Sequence, residues 1–317
     1  MMGHIIDFGT VDGRKVQLAV LKNGKFVAAI SSFGSTIVWF GTKERNYVTY
    51  HKTAEDYVND STYMGKTVGP YANRIKNAEF ELEGKVYKLE KNDGENSLHS
   101  GSICFGNKLW TIEGISDNMV TLSLSTKEGG GFPGDHEVQV TYLLTEDGVL
   151  TVFYRSTSNK KCPVSITNHA YFVLDDRSDK YVELEIPSDK YVSVDSSLIP
   201  FKENPVKVEG TDFDFRKKTV IGERRGGSYD NTWVLEKNSI VEAEGNLAKL
   251  FVRTTEPGIQ VYTGEFLSGK DSKPFDGLAL ETGRFPDSPN RPDFPGEYTD
   301  KDKIYESTTS YKLVIKE

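Results

Sequence analysis

Hydrophobic and polar residues along this chain alternate with a period of two far more often than they recur at helical spacing. In "EVQVTYLL" Val138, Val140, Tyr142 and Leu144 fall on one face, with Glu137, Gln139 and Thr141 on the other. "MVTLSLS" repeats the pattern with Val120, Leu122 and Leu124. Such alternation sets one face of a strand against a core and the other toward water. Similar signals recur in "VQLAVL", "KFVAAI", "FELEGKVYKL", "LTVFYR", "VELEI", "LFVRT", "IQVYT" and "YKLVI". Hairpin-forming pairs separate them at Asn23-Gly24, Glu83-Gly84 and Asp147-Gly148, where a turn needs residues that tolerate positive φ. One short helix is predicted within "KTAEDYVND", residues 52–60, starting near Thr53. Strand signals at spacings of about 8–12 residues predict an all-β fold, a large antiparallel β-sandwich with very little helix. No repeat period or linker-like composition divides the chain, so a single domain over residues 1–317 is expected.

Composition narrows the partners. With 39 basic and 47 acidic residues the net charge is −8, which disfavours nucleic acid or an anionic membrane surface as a partner. Two cysteines, Cys104 and Cys162, form no C-x-x-C pair. His4, His51, His99, His136 and His169 are far apart in sequence with no i, i+4 pair, so no metal site is expected. The start, "MMGHIIDFGTVDGRKV", lacks the charged and then apolar pattern of a signal peptide. No run of about eighteen apolar residues suggests a membrane span. A reduced, cytoplasmic protein is the expectation.

Five stretches place polar residues where a packed sheet does not call for them. "GPYANRIKNAEF" carries Asn73 and Arg74 after a Gly-Pro turn, and an arginine fork suits oxygen-rich ligands. "ENSLHSGSICFGNKLW" carries His99, and "CPVSITNHAYFVL" sets Asn168 and His169 in an apolar, aromatic run. His169 is either a satisfied core residue or a proton-transfer group aimed at a cavity. "GGSYDNTWVL" carries Asp230, which also suits a plain turn. "GLALETGRFPDSPNRPDFPG" ends an apolar run at Glu281, followed by Pro286, Pro289, Pro292 and Pro295. Either the strand runs out there into solvent, or a stiff loop holds a carboxylate at the lip of a pocket. A carboxylate and an imidazole are what a reaction with one proton removed and one delivered requires. No G-x-S-x-G motif accompanies them, and "EGGGFPGDHEV" lacks the Lys-Ser/Thr of a phosphate loop; it reads as a long loop entering a strand.

Taken in order, "GPYANRI", "LHSG" followed by a tryptophan, "GFPGDHEVQVTYLLT", "NHAYF", "YDNTWVL" and "LETGRFPDSPN" resemble the motif series of the aldose 1-epimerases, the galactose mutarotase family. The resemblance runs from about Gly65 to the end of the chain. It implies a β-sandwich of the galactose mutarotase type and cofactor-independent interconversion of the anomers of free aldohexoses such as D-galactose and D-glucose. By the same resemblance Glu281 is the general base and His169 the general acid, while Asn73, Arg74, His99 and Asp230 hold the sugar hydroxyls. The implied partner is a small monosaccharide, and the implied assembly a monomer or weak homodimer. The chain departs from the common pattern at Ser100, Ala170, Val173 and Asn231, which bears on sugar preference more than on reaction type. Three rival readings stand beside it. One is a hexose 6-phosphate 1-epimerase, with Arg224, Arg225, Arg284 or Arg291 on the phosphate. The others are a non-catalytic carbohydrate-binding module and a glycoside hydrolase using Asp230 and Glu281.

Overall fold

A computed structural model of the protein describes residues 3–268 and 272–316. All of the alternating runs named above form strands, and the named strands pair antiparallel throughout. At the Glu83-Gly84 hairpin both residues have positive φ, 54° and 77°, which matches the right-handed twist of the strands it joins. Gly148 is obligatory on space as well as conformation. Its φ is 80°, and a Cβ there would lie 2.4 Å from the Phe26 ring. The helix is Ala54–Val58, shorter than the predicted span, and Thr53 caps it by accepting the Asp56 N–H at 3.2 Å. Its short length follows from the absence of helix-favouring apolar spacing beyond Tyr57.

Three sheets carry the architecture. A four-stranded sheet takes His4–Val11, Arg14–Asn23, Phe26–Ser31 and Thr36–Thr42 in sequence order. A nine-stranded sheet runs Thr111–Ile115, Met119–Thr126, His136–Leu144, Val149–Ser158, Tyr305–Ile315, Ala248–Thr254, Ile240–Glu244, Glu183–Glu185 and Thr219–Val220. A six-stranded sheet runs Tyr171–Phe172, Leu278–Gly283, Gly258–Tyr262, Asp230–Val234, Lys190–Val192 and Val206–Lys207.

The nine- and six-stranded sheets face each other across one core. Val140, Tyr142, Val152, Leu250 and Tyr311 of the first pack in the same cluster as Trp233, Ile259, Val261, Leu278 and Leu280 of the second. Burying such side chains stabilises the fold by about 1.5–3 kcal/mol each. Some polar groups that alternation sends inward find partners across the gap, as where the Thr282 and Thr309 hydroxyls meet at 2.5 Å. The fold is therefore the expected antiparallel β-sandwich, and the opposite face of the six-stranded sheet is left free to build a site. Among the described residues no helix is long and apolar enough to cross a membrane.

Candidate active site

The strand Leu278–Gly283 sorts its side chains by parity. Leu278 and Leu280 enter the sandwich core, so Ala279, Glu281 and Gly283 take the other face. Glu281 is not at the strand's end. Gly283 still pairs with Gly258 two residues later, and Glu281, paired with Gln260, is only 6% exposed. The proline-rich loop does leave this strand, but its anchors run elsewhere. Asp287 donates its N–H to the Arg74 carbonyl at 2.8 Å, and its carboxylate accepts the Lys76 N–H at 2.9 Å. The loop thus braces the Arg74 segment, while sheet pairing holds Glu281.

On the same face Asp230 lies opposite Tyr262 and Thr232 opposite Gln260. Gln260 ties the row together, donating to an Asp230 oxygen and accepting from the Thr232 hydroxyl. His169 falls between two short strands that join different partners. Thr167–Asn168 pairs with Thr67–Val68, and Tyr171–Phe172 with Leu278–Ala279. Its N–H donates to the Lys66 carbonyl and its carbonyl accepts the Gly65 N–H, both at 2.9 Å. Fixed at both backbone groups, the imidazole reaches Glu281, with Nε2 3.4 Å from Oε1.

His99 and Asn73 hold each other. The Asn73 N–H donates to His99 Nδ1 at 3.1 Å and the His99 N–H to the Asn73 carbonyl at 3.1 Å. An accepting Nδ1 leaves the proton of the neutral ring on Nε2. Asn73 and His99 have φ of 69° and 51°, and Tyr63 and Leu198 have 55° and 58°. All four line one cavity, and for residues with side chains each such conformation costs about 1–3 kcal/mol. Ser100 follows at φ 65°, its hydroxyl accepting the Tyr71 N–H and donating to the Tyr71 carbonyl, each at 2.9 Å. That staple accounts for a serine where a glycine would be the unstrained choice.

The cavity has a volume of about 230 Å³, and the six residues to which the resemblance gives a role all line it: Asn73, Arg74, His99, His169, Asp230 and Glu281; Asn168 does not, its amide donating instead to the Gly65 carbonyl at 2.8 Å. Sequence reasoning missed Tyr63, Tyr171, Tyr262, Leu198 and Phe266, which complete its walls. It also missed Gln260, although a glutamine between Ile259 and Val261 in "IQVYT" was a legible sign of a polar outward face. Of the four arginines considered for a phosphate, Arg284 is engaged by Glu256 at 3.0 Å, and Arg291 by Asp293 and two backbone carbonyls. Arg224 donates to the Asp214 carbonyl at 2.7 Å.

Arg74 sits between two carboxylates, its Nε 2.7 Å from Asp93 and its Nη1 3.5 Å from Asp230. Burial pushes Glu281 up to about 8, with the Asp230 charge adding to it and Arg74 opposing. Burial likewise pushes His169 down to about 4, and His99 falls well below the usual range by burial and the nearby His169 and Arg74 charges. The expectation of no metal site rested on spacing along the chain. The fold nonetheless brings ligand atoms of His99, His169 and Glu281 within 4.8 Å of one another, and two of these are the proposed acid and base.

Glu281 has a consequence for stability. A carboxyl raised on folding favours the native state fully below about pH 4.5, and this support is lost as pH rises through about 8. Glutamine does not titrate. The melting temperature of Glu281→Gln minus that of wild type is expected to grow between pH 5 and 9, reaching several degrees (roughly 2–4 °C per kcal/mol). Calorimetry showing a pH-independent difference would mean that the carboxyl is not perturbed.

A family profile described as aldose 1-epimerase matches residues 17–312. The Escherichia coli K12 protein named aldose 1-epimerase is 32% identical over 336 residues, covering 96% of both chains. The human protein named galactose mutarotase is 33% identical, covering 97% of this chain and 95% of its own. Among solved structures, an aldose epimerase homologue from C. elegans superposes with a TM-score of 0.89 at 27% identity, covering 95% of this chain and 99% of that one. A galactose 1-epimerase from Lactobacillus acidophilus shares the fold, with a TM-score of 0.90 at 21% identity over 100% of this chain and 99% of that one. With its profile matched over most of the sequence and relatives of this similarity along its length, the chain belongs to the aldose 1-epimerase family.

Proposed function

We propose that this protein is a mutarotase, interconverting the α and β anomers of free aldohexoses such as D-galactose and D-glucose. One observation carries the reading: Glu281 and His169 stand side by side, 3.4 Å apart, on the wall of a hexose-sized cavity. Ring opening of a hemiacetal takes a proton from the anomeric hydroxyl and gives one to the ring oxygen. Both oxygens are bonded to C1, so acid and base must be neighbours, as these two groups are.

Glu281 removes the O1 proton while protonated His169 delivers its proton to O5, and the C1–O5 bond breaks to give the open aldehyde. Rotation about C1–C2 presents the other face of the carbonyl. O5 then attacks C1, His169 takes the O5 proton back, and Glu281 returns one to O1. Throughout, the pair carries one proton. Its two arrangements, carboxylate with imidazolium and carboxylic acid with neutral imidazole, are the states before and after ring opening. Burial favours the neutral arrangement, so the ionised pair that starts ring opening is the less populated of the two and reclosure starts from the favoured one.

Arg74, His99 Nε2 and Asn73 offer donors and Asp230 an acceptor for the ring hydroxyls. Polarimetry on freshly dissolved α-D-galactose and α-D-glucose tests the proposal, and an unaccelerated approach to equilibrium for both would sink it. Replacing Arg74 with alanine is expected to raise KM by about 10–100-fold, the worth of a charged hydrogen bond. It also removes the cation opposing the rise in Glu281's pKa, so the alkaline limb of the rate profile should move to higher pH. An unchanged KM would remove Arg74 from the binding role.

A further inference from the structure

A buried ion pair lies behind one wall of the acid–base cavity. Lys66 is fully buried, and the Asp60 side chain is 1% exposed. The Lys66 ammonium stands 3.8 Å from the Asp60 carboxylate, 3.4 Å from the Asp60 carbonyl and 3.3 Å from the Asn107 amide oxygen. The His51 imidazole approaches the same carboxylate at 3.5 Å. An apolar side chain of similar size commonly stabilises a core at least as well as a buried ion pair does. Stability alone therefore gives no reason for a lysine here.

Both charged residues are tied to backbone that shapes the site. Asp60 Oδ1 accepts the Thr62 N–H at 2.9 Å and Oδ2 the Met64 N–H at 2.8 Å. These bonds clamp the turn that presents Ser61, Thr62 and Tyr63 to the cavity. Tyr63, at φ 55°, sets its ring 4.6 Å from the His99 ring and 6.2 Å from the His169 ring. The Lys66 N–H closes the turn by donating to the Tyr63 carbonyl at 3.0 Å. The Lys66 carbonyl and the Gly65 N–H are the two groups that hold the His169 backbone.

The pair is also balanced in charge. His169 faces Glu281, His99, Tyr63, Tyr171 and Tyr262, with Asp60 and Lys66 behind the wall. Burial is the main cause of its lowered pKa; the Asp60 charge opposes the shift and the Lys66 charge adds to it. Neither Asp60 nor Lys66 lines the cavity, so their influence passes through the segment they hold and the field they set.

We propose that Asp60 and Lys66 are positioning residues for the acid–base pair, their ion pair holding residues 60–66 so that this backbone seats His169 and Tyr63 packs against the two imidazoles. The inference rests on the mutarotase reading, in which His169 is the general acid.

Polarimetric kcat and KM across pH, with melting temperatures, test this in wild type, Asp60→Asn, Lys66→Met and the double variant. Between the limbs of the profile, Lys66→Met is expected to lower kcat about tenfold or more, as a displaced acid would, with KM within about twofold. The acid limb should move to lower pH in Asp60→Asn and to higher pH in Lys66→Met. The first removes a charge that favours the imidazolium, and the second a charge that opposes it. The double variant leaves neither charge without its partner, so it should melt above both single variants. Its kcat should nonetheless stay about tenfold low or more, with its acid limb back near the wild-type position. Losses of kcat that only follow melting temperature, with acid limbs unmoved, would overturn the proposal and leave the pair a packing element. A double variant with wild-type kcat would overturn it too. Wild type that accelerates neither galactose nor glucose would overturn the mutarotase reading, and this inference with it.

Discussion

Replacing Glu281 with glutamine is expected to lower kcat for mutarotation by about 10²–10⁴, the usual worth of a positioned acid or base. The substitution keeps the shape and removes only the ability to accept a proton. Glu281 is 6% exposed and held in a strand by pairing with Gln260, so the glutamine should occupy the same place and the fold should survive. The rate profile gives a second signature. The pair carries one proton between about pH 4 and about pH 8, the values toward which His169 and Glu281 are pushed by burial. Below that window both groups hold a proton and no base is free; above it neither does and no acid remains. Wild-type kcat/KM is expected to be bell-shaped across it, its limbs belonging to the pair. The pair's alkaline limb should be missing from the residual activity of Glu281→Gln. Near-wild-type turnover in that variant would mean that another group is the base.

Period-two alternation made the strands legible, because burial against a core is a local property of each strand. The hairpin at Glu83-Gly84 and the cap at Thr53 were legible for the same reason: both depend on a few consecutive residues. What pairing does at long range was not. Glu281 read as the end of an apolar run, because Thr282 and Gly283 carry no apolar signal; in the sheet Thr282 turns inward to Thr309 and Gly283 pairs with Gly258. His99 and His169 are far apart in sequence, yet their rings lie 5.4 Å apart, which no spacing rule anticipates. Lys66 is another such case. Nothing in "MGKTVGP" marks a fully buried lysine, and its ammonium is met by the Asp60 carboxylate at 3.8 Å and the Asn107 amide oxygen at 3.3 Å. The six candidate residues stood out as polar groups in strand-like runs, but their roles came from a resemblance to a motif series. Residue chemistry alone left His169 between a core role and a catalytic one, and the cavity is what favours the second.

His169→Asn is expected to lower kcat by a similar factor, about 10²–10⁴, and the reason is specific to its surroundings. Two backbone hydrogen bonds at 2.9 Å fix the residue, and asparagine can keep both. Its Nδ1 has no hydrogen-bond partner among the described residues, and Nε2 faces Glu281. An imidazolium there would have the Glu281 carboxylate 3.4 Å from Nε2, while burial, opposed by its own backbone and by the Asp60 charge, holds the ring far toward its neutral form. Acid and base thus depend on each other, and their removal should not be additive. The double variant Glu281→Gln/His169→Asn is expected to lose little more than either single variant, as groups acting as a unit do. Losses that multiply across the double variant would show two independent contributions and rule out a shared proton. A fall in activity that tracks a fall in melting temperature, with the acid limb of the profile intact, would return His169 to a packing role.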